Sequence, residues 1–428
     1  MKFLNRLIGG NVLLKVTSLN SLSVIAQMVC GLIISKVIAV FVGPQGMTLI
    51  GNLRNFLGAA QQVSILGMYN GIVKYTAEFK DDNLELKKLF STSFYFGAFS
   101  TILSALIIYF NAGVINAYLF EGEDYTSVIK AISFALPFYS LNFFCIAIIN
   151  GFSKYKNYVL ITFASTLLGM LITVTLIWQQ QLTGALYAIV VVPALNFLVT
   201  LVLILNQKNF ASFLTLNSIS NSYIKRLGSF AIMKLVSAIS LPLIMIAIRT
   251  EIVTVQSATE AGYWEAMNRI SNYYLVFFTT LLTLYILPKL SEINDPKAFR
   301  KEIFGFYKTI LPLFAAGMLI IYVLKTYIIQ IVLTDEFLPM SSLFFWQLSG
   351  DLVKIASIVI AYQFLAKNMF WHYIFVEVGS VLTIYFSSLY FINTYGFVGA
   401  SMAHLFSYTI HFIVVLIIFR KALFNLKF

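Results

Sequence analysis

Lysine, arginine and carboxylate side chains interrupt the long apolar stretches of this sequence. Each would cost at least about 2.5–3.5 kcal/mol near the centre of a membrane helix, so such residues usually line a wet cavity or face a partner. The interrupting residues are Lys15, Lys36, Arg54, Lys130, Lys234, Glu265, Arg269, Asp351, Lys354 and Glu377. These are the first candidates for binding chemistry.

Arg54 and Arg269 stand well inside their apolar stretches. The planar guanidinium forms bidentate, charge-assisted hydrogen bonds to phosphate, so these two residues are predicted to bind a diphosphate. Lys36 and Lys234 are further candidates for the same anion. The alternative for Arg269 is an ion pair with Glu265, which lies four residues earlier on the same helix face.

Asp351 and Lys354 lie three residues apart, so the first expectation is a structural ion pair that neutralises both charges. The alternative is that Asp351 couples transport to a proton or sodium gradient. Glu265 and Glu377 are the other candidates for ion coupling, because buried carboxylates in transporters commonly exchange cations.

Signals for metal, nucleotide or covalent chemistry are weak. His372, His404 and His411 are the only histidines in the sequence. His404 and His411 lie seven residues apart on one face of the last span, but no third ligand is close to them in sequence, so no metal site is predicted. The sequence contains no Gly-rich loop ending in Gly-Lys-Ser/Thr, and no nucleophile motif stands out. We therefore predict a protein without a cofactor that is not an enzyme. The basic residues are not clustered on a soluble module, which disfavours nucleic acid as a partner.

Composition identifies the elements that position these residues. Of the 428 residues, 60% are hydrophobic and 11% are charged, against about 25% charged in soluble domains. About twenty helical residues cross the hydrocarbon core, and helices satisfy their own backbone in lipid. Twelve spans are predicted near 12–40, 46–72, 88–112, 127–150, 157–178, 182–206, 222–249, 262–288, 303–326, 337–366, 370–392 and 396–420.

The distribution of positive charge predicts the topology. With both termini in the cytoplasm, nearly all loop lysines and arginines face the cytoplasm, and only Arg249 and Lys325 fall outside. The expected location is a bacterial cytoplasmic (inner) membrane, crossed several times.

The two halves of the sequence resemble one another. Gly46 to Arg54 matches Gly262 to Arg269, and Gly184-Ala185 matches Gly399-Ala400, at a shift of about half the chain. Six helices per half is an even number, so the repeat is parallel. The predicted domains are an N-terminal lobe at 1–208, a cytoplasmic linker at 209–227 that is either an interfacial helix or a plain connection, and a C-terminal lobe at 228–428.

Residues 41–75 carry a family resemblance. Phe41-Val-Gly-Pro-Gln-Gly46, followed by Asn52-Leu-Arg54-Asn, resembles the first helical-hairpin signature of polysaccharide flippases in the multidrug/oligosaccharidyl-lipid/polysaccharide exporter superfamily. Gly67-Met-Tyr-Asn-Gly-Ile-Val-Lys74-Tyr75 is similar to the following segment in O-antigen and lipid III translocases. The segment from Gly262 to Arg269 is also similar to that family.

The resemblance implies a V-shaped, all-α fold of two six-helix lobes. It also implies a flippase that moves an undecaprenyl-diphosphate-linked oligosaccharide, such as an O-antigen or similar surface-polysaccharide unit, to the periplasmic leaflet by alternating access. Arginines that line the cavity are typical of such flippases. Expected partners are that substrate, membrane lipids and other polysaccharide-assembly proteins.

Two other functions remain as alternatives. A cation-coupled multidrug antiporter of the same superfamily would tend to use buried carboxylates in the first half, whose spans hold none away from their ends. A non-transporting scaffold of a glycan-assembly complex would need no charge within the membrane.

Overall fold

The computed structural model describes residues 12–120, 122–205, 215–293, 295–367 and 369–424. These ranges form helices joined by short turns, without a β-strand. The helices are α1 Val12–Phe41, α2 Gly43–Ser64, α3 Tyr69–Glu78, α4 Asn83–Phe110, α5 Ala112–Phe120, α6 Thr126–Gly151, α7 Tyr155–Leu205, α8 Asn221–Val255, α9 Ala258–Leu281, α10 Leu287–Glu292, α11 Pro296–Val323, α12 Lys325–Val332, α13 Phe344–Ala366, α14 Phe370–Tyr395 and α15 Phe397–Phe424.

The long element α7 contains two passes, which brings the count of passes to the predicted number of spans. The backbone of α7 is non-helical at Gln181, so two helices meet there. Counting each arm of α7, and joining α2 to α3 and α9 to α10, gives six long passes in each half of the described chain. The chain is therefore an all-α, multi-pass membrane protein, as the composition predicted.

Hydropathy alone identifies fewer passes. Within the described ranges, nine stretches are long and apolar enough to cross a bilayer, and one of them, Lys156–Val202, contains both arms of α7. The passes formed by α2 with α3 and by α9 do not reach the hydropathy of a membrane span. These are the helices that carry Arg54 and Arg269, so the two passes that fall short in hydropathy are the two that carry the candidate arginines.

Capping residues mark corresponding helix starts in the two halves. Asp82 accepts hydrogen bonds from the backbone N–H groups of Leu84 and Glu85 at the start of α4. Asp295 accepts from Lys297 and Ala298 at the start of α11. Each carboxylate satisfies N–H groups that the first helical turn leaves open. In the loop before α6, hydrogen bonds from Thr126 lower the pKa of the Asp124 carboxyl.

The internal repeat is visible in the helix boundaries. α2 and α9 begin 215 positions apart, at Gly43 and Ala258. α4 and α11 end 213 positions apart, at Phe110 and Val323, and each is followed by a short helix, α5 or α12. The first arm of α7 and α14 also correspond, because they begin at Tyr155 and Phe370.

Both second passes are irregular near their C-terminal ends. α2 stops at Ser64, and the backbone turns through Leu66 (φ 52°) and Gly67 (φ 60°) before α3. Ser100 of α4 donates to the carbonyl of Val63, and Thr101 donates to that of Ser64. The Val63 carbonyl also accepts from the Leu66 N–H, and Thr101 satisfies a second carbonyl at the end of the helix, where such groups lack an intrahelical partner. In the second half, a π-helical segment at Leu282–Ile286 follows α9 at the corresponding place.

The turn between the last two passes of each half shows the same repeat. Gln181 (φ 47°) and Gly396 (φ 65°) occupy corresponding positions, with the left-handed φ that favours glycine. Three residues later, Gly184 and Gly399 each lie against a backbone carbonyl, at which an added Cβ would stand 1.9 Å or 2.0 Å away. Only glycine fits so close an approach, which explains the repeated Gly-Ala pair in the sequence.

Replacing Gln181 with glycine is expected to raise the melting temperature of the protein in detergent. A non-glycine residue in this backbone conformation carries strain of order 1–3 kcal/mol, and glycine removes it. Gln179→Gly, two residues earlier in a helical conformation, is the matched control and should lower stability by roughly 0.5–1 kcal/mol. Equal destabilisation by both changes would show that the turn at Gln181 is not strained.

The chain divides into two compact units. Unit 1 comprises Met1–Phe41 and Asn52–Pro242, and unit 2 comprises Val42–Gly51 and Leu243–Phe428. Residues 209–214 of the predicted linker lie outside the described residues. After them, the Thr215 N–H donates to Ser91, a 3₁₀ turn covers Leu216–Ser218, and α8 begins at Asn221.

The start of α2 packs within unit 2. The Thr48 hydroxyl donates to the carbonyl of Ala258 at 2.7 Å. Gly262 of α9 lies so close to Pro44 that an added Cβ would stand 1.9 Å from its carbonyl oxygen. A segment from the first half of the sequence therefore completes the second unit.

Candidate functional site

Arg269 is a buried arginine on α9 of unit 2. It lies eleven positions after the start of α9 at Ala258, roughly 16 Å along the helix. Its side chain is 7% exposed, and its Nε donates to the Tyr273 hydroxyl at 3.0 Å. One terminal nitrogen, Nη1, has no hydrogen-bond partner among the described residues. No salt bridge joins Arg269 to a carboxylate in the described ranges.

Arg54 occupies the corresponding place in unit 1. It follows the start of α2 at Gly43 by the same eleven positions, and its side chain is partly buried. Beside the two arginines, the side-chain amide nitrogens of Asn55 and Asn268 are buried without a hydrogen-bond partner in the described part of the chain. Each unit thus offers a guanidinium and an amide donor, the groups that phosphate oxygens accept from.

Glu265 does not pair with Arg269 as the sequence allowed. Its carboxylate accepts a hydrogen bond from Nη2 of Arg249 at 2.7 Å, and both side chains are buried. Arg249 was expected in an outer segment, but it lies inside α8 and over the Trp264 ring at 5.6 Å. Gly51 leaves the space for this ion pair, since an added Cβ would stand 2.7 Å from the Glu265 carboxyl. Glu265 therefore neutralises Arg249, and among the described residues Arg269 forms no ion pair with a carboxylate.

Asp351 of α13 is fully buried and receives three hydrogen bonds from two other helices. His404 Nε2 of α15 lies 2.9 Å from Oδ1. The hydroxyls of Ser271 and Tyr274, both on α9, donate to Oδ2. Three donors can hold an ionised carboxylate in the membrane interior, and the histidine can exchange a proton with it.

Lys354 does not form the predicted ion pair with Asp351. Although it lies one turn further along α13, its ammonium group stands over the Tyr408 ring of α15, 5.0 Å from the centroid. The only salt bridge that Asp351 forms in the described ranges is to His404. The partner of Asp351 is therefore His404 on another helix and not its sequence neighbour Lys354.

The contact between α13 and α15 contains further polar pairs. Ser401 donates to Gln347 at 3.1 Å, one turn to one side of Asp351, and Ser357 bonds His411 on the other side. With Asp351–His404 and Lys354–Tyr408, these pairs form a continuous row, which we call the polar seam. Such rows within a membrane provide paths for protons.

Gly350 allows α13 and α15 to approach at the polar seam. A Cβ at this position would stand 2.4 Å from Cδ2 of His404 and 3.1 Å from the backbone of Leu405. Gly350→Ala must push His404 away from Asp351, so we expect a lower melting temperature, equivalent to roughly 1–3 kcal/mol. Gly379→Ala in α14 is the matched control, because open space surrounds its Cβ position and alanine favours the helix by up to about 1 kcal/mol. A Gly350→Ala protein as stable as wild type would contradict the close approach.

The remaining predicted residues are placed less centrally. Lys36 of α1 and Glu377 of α14 are partly buried, and Lys234 of α8 is exposed. Lys234 packs its side-chain carbons against Gly67 at the break after α2. Within the described ranges, His, Cys, Asp and Glu side chains do not form a group that could hold a metal ion.

Sequence comparison assigns the family. Residues 37–342 match the family described as "Polysaccharide biosynthesis protein". The chain belongs to this polysaccharide biosynthesis family. The matched range contains Arg54, Arg249, Glu265 and Arg269, whereas the polar seam lies beyond its end.

Similarity to individual relatives extends over nearly the whole chain. It is 26% identical to the lipid III flippase of Escherichia coli K12, over 91% of this chain and 94% of that protein. Its fold resembles the lipid II flippase MurJ in an inward closed conformation, with TM-score 0.72, 16% identity, and coverage of 95% and 90% of the two chains.

An inward-facing MATE multidrug transporter of the MOP superfamily has the same fold, with TM-score 0.71 and 12% identity over 93% of this chain and 95% of that one. The polysaccharide biosynthesis protein is therefore a multi-pass membrane protein with the MOP transporter fold. It resembles flippases and transporters, as expected for a chain that is not an enzyme.

Sequence reasoning missed the partners of the buried charges. His404 was considered as a metal ligand, and Ser271, Tyr274 and Tyr408 carried no signal of their own. The spacing of His404 and His411 along one face of α15 was the available clue, because it places both toward α13.

Proposed function

We propose that this protein is a flippase that moves a lipid-linked oligosaccharide from the cytoplasmic to the periplasmic leaflet by alternating access. The observation that carries the proposal is Arg269, a membrane-buried guanidinium without a carboxylate partner in the described structure. An uncompensated buried charge is costly, and an anionic ligand would offset that cost.

A diphosphate linker is the substrate group that these residues fit. Arg54 and Arg269 lie the same number of residues from the starts of corresponding helices, and each is followed or preceded in sequence by an asparagine whose amide nitrogen has no hydrogen-bond partner among the described residues. The lipid III flippase relative supports a substrate of this kind. We infer undecaprenyl diphosphate as the carrier lipid and a surface-polysaccharide unit, such as an O-antigen repeat, as the glycan.

The charge distribution disfavours a cation carrier. In the first half of the sequence, carboxylates lie only at the ends of the spans, and the first-half pass α2 instead carries Arg54. A cationic drug would meet like charge beside either arginine, which costs energy at short range. The positive charges of the loops support cytoplasmic termini in a bacterial inner membrane.

Proton coupling through the polar seam completes the proposal. When Asp351 takes up a proton, its hydrogen bond to His404 loses the ionic component, and the contact between α13 and α15 changes. Glu265 is unsuited to this role because it already neutralises Arg249.

Transfer between leaflets tests the proposed function directly. Purified protein is reconstituted in liposomes with a fluorescent undecaprenyl-diphosphate oligosaccharide, and outer-leaflet probe is quenched by a membrane-impermeant reductant. The expected result is complete quenching with protein and about half without it. Absence of transfer together with efflux of a cationic dye would support the multidrug antiporter. Absence of both activities would support the non-transporting scaffold. A panel of glycans on one carrier lipid then identifies the oligosaccharide.

A further inference from the structure

A strongly basic groove runs along the first three turns of α11 in unit 2. It has a volume of about 630 Å³. Its charged lining is Lys297, Arg300, Lys301 and Lys308, and its apolar floor is Pro296, Phe304, Gly305 and Ala422. Ala422 belongs to the last turn of α15, which also carries Lys421. We call this feature the basic groove.

Helical spacing separates the basic groove from the core of unit 2. Lys297, Lys301, Phe304 and Lys308 recur at intervals of three or four residues and share one face of α11. The opposite face is buried and includes Phe299, whose ring lies 5.8 Å from that of Phe419. The charges therefore have no role in packing α11 against unit 2.

The charges of the basic groove are not neutralised in the described ranges, where none of its four basic residues forms a salt bridge. The neighbouring carboxylates have other partners, since Asp295 caps the helix and Glu302 accepts a hydrogen bond from Tyr285. Four cations on about three turns repel one another, and an anion bound among them would relieve this repulsion.

The groove has room for a ligand and continues into an apolar face. A Cβ at Gly305 would meet nothing within 4 Å, so the centre of the groove is open. Further along the same face of α11, Leu319 is 64% exposed and Val323 is 69% exposed. A molecule that lies along this face meets cations first and exposed apolar side chains afterwards.

We infer that the basic groove binds the headgroup of an anionic phospholipid of the cytoplasmic leaflet. The phosphate lies among the lysines and Arg300, and the acyl chains follow the exposed apolar residues of α11. A soluble phosphate would leave the apolar face unused. This site goes beyond the proposed function, since it concerns the surrounding lipid and not the transported one.

Native mass spectrometry of the full-length protein in detergent tests this inference. Phosphatidylglycerol and phosphatidylcholine are titrated against wild type and against K297Q/R300Q/K301Q/K308Q. A basic residue near an anionic surface contributes roughly fivefold to affinity. We expect the groove variant to bind phosphatidylglycerol at least tenfold more weakly, with phosphatidylcholine unchanged.

The matched control removes four positive charges elsewhere. K80Q/K87Q/K156Q/K225Q should retain phosphatidylglycerol affinity within about twofold. The inference would be overturned if phosphatidylglycerol bound equally weakly to both variants, or if it bound the groove variant as tightly as wild type. Weaker binding of undecaprenyl diphosphate with unchanged phosphatidylglycerol would also overturn it and assign the groove to the substrate. Should the fourfold variant misfold, K297Q/K301Q must weaken phosphatidylglycerol binding and K297R/K301R must preserve it.

Discussion

Arg269→Gln is expected to slow transfer of the diphosphate-linked oligosaccharide about 100-fold. The guanidinium of Arg269 is buried and forms no salt bridge within the described ranges, and glutamine keeps much of its length while removing the charge and the bidentate fork. Hydrogen bonds to a charged group contribute about 1.5–3 kcal/mol each, so the loss of one such interaction corresponds to roughly a factor of 10–150. The measurement is the initial rate of probe quenching in liposomes that hold equal amounts of folded protein.

Two variants separate the role of the fork from the role of charge. Arg269→Lys keeps the charge without the planar fork and should recover only part of the rate. Lys130→Gln, which removes a cation that stands over the Tyr109 ring near the start of α6, should transfer the probe like wild type. Arg54→Gln is expected to resemble Arg269→Gln. An unchanged rate in both arginine variants would remove these residues from the substrate site while leaving the flippase function standing.

Asp351→Asn is expected to abolish the response of transfer to a pH gradient. Asparagine preserves the shape of the side chain, so Ser271 and Tyr274 keep an acceptor, but it cannot take up a proton. For wild type, an acidic buffer on the periplasmic side of the membrane should accelerate transfer, because protons then flow toward the cytoplasmic side. For the variant, rates with and without the gradient should agree within about 20%, a difference below 0.2 kcal/mol in barrier.

The groups that surround Asp351 determine the controls. His404 contacts it directly, and Lys354, Tyr408 and His411 lie along the same polar seam. His404→Gln should weaken the response to the gradient, while Glu377→Gln in α14 should leave it intact. If Asp351→Asn kept the full response to the pH gradient, or if Glu377→Gln lost it, the coupling role would belong to Glu377.

Much of the architecture follows from sequence patterns, because apolar stretches in lipid must form helices. The repeat was predictable as well, and Gly184 and Gly399 show why: each permits a close backbone approach that only glycine allows. Gln181 shows the limit, since no pattern announces a left-handed residue within an apolar stretch. The break at Gln181 becomes evident only from its counterpart, Gly396.

The candidate site was less predictable, because sequence distance is a poor guide to pairing among buried charges. Asp351 lies one turn from Lys354, yet its partner is His404 on another helix. Glu265 lies one turn from Arg269, yet it binds Arg249. Side chains on one helix point toward its N-terminus and to different neighbours, so tertiary packing decides which charges meet.

The placement of Val42–Gly51 in unit 2 has a consequence for biogenesis. This segment leaves the ribosome roughly two hundred residues before Ala258 and Gly262, the residues against which it packs. Because domains generally fold in order of synthesis, the beginning of α2 must wait in the bilayer until its partners are inserted. The two halves are therefore not interchangeable modules, and a C-terminal half produced alone would lack a strip of its own interior.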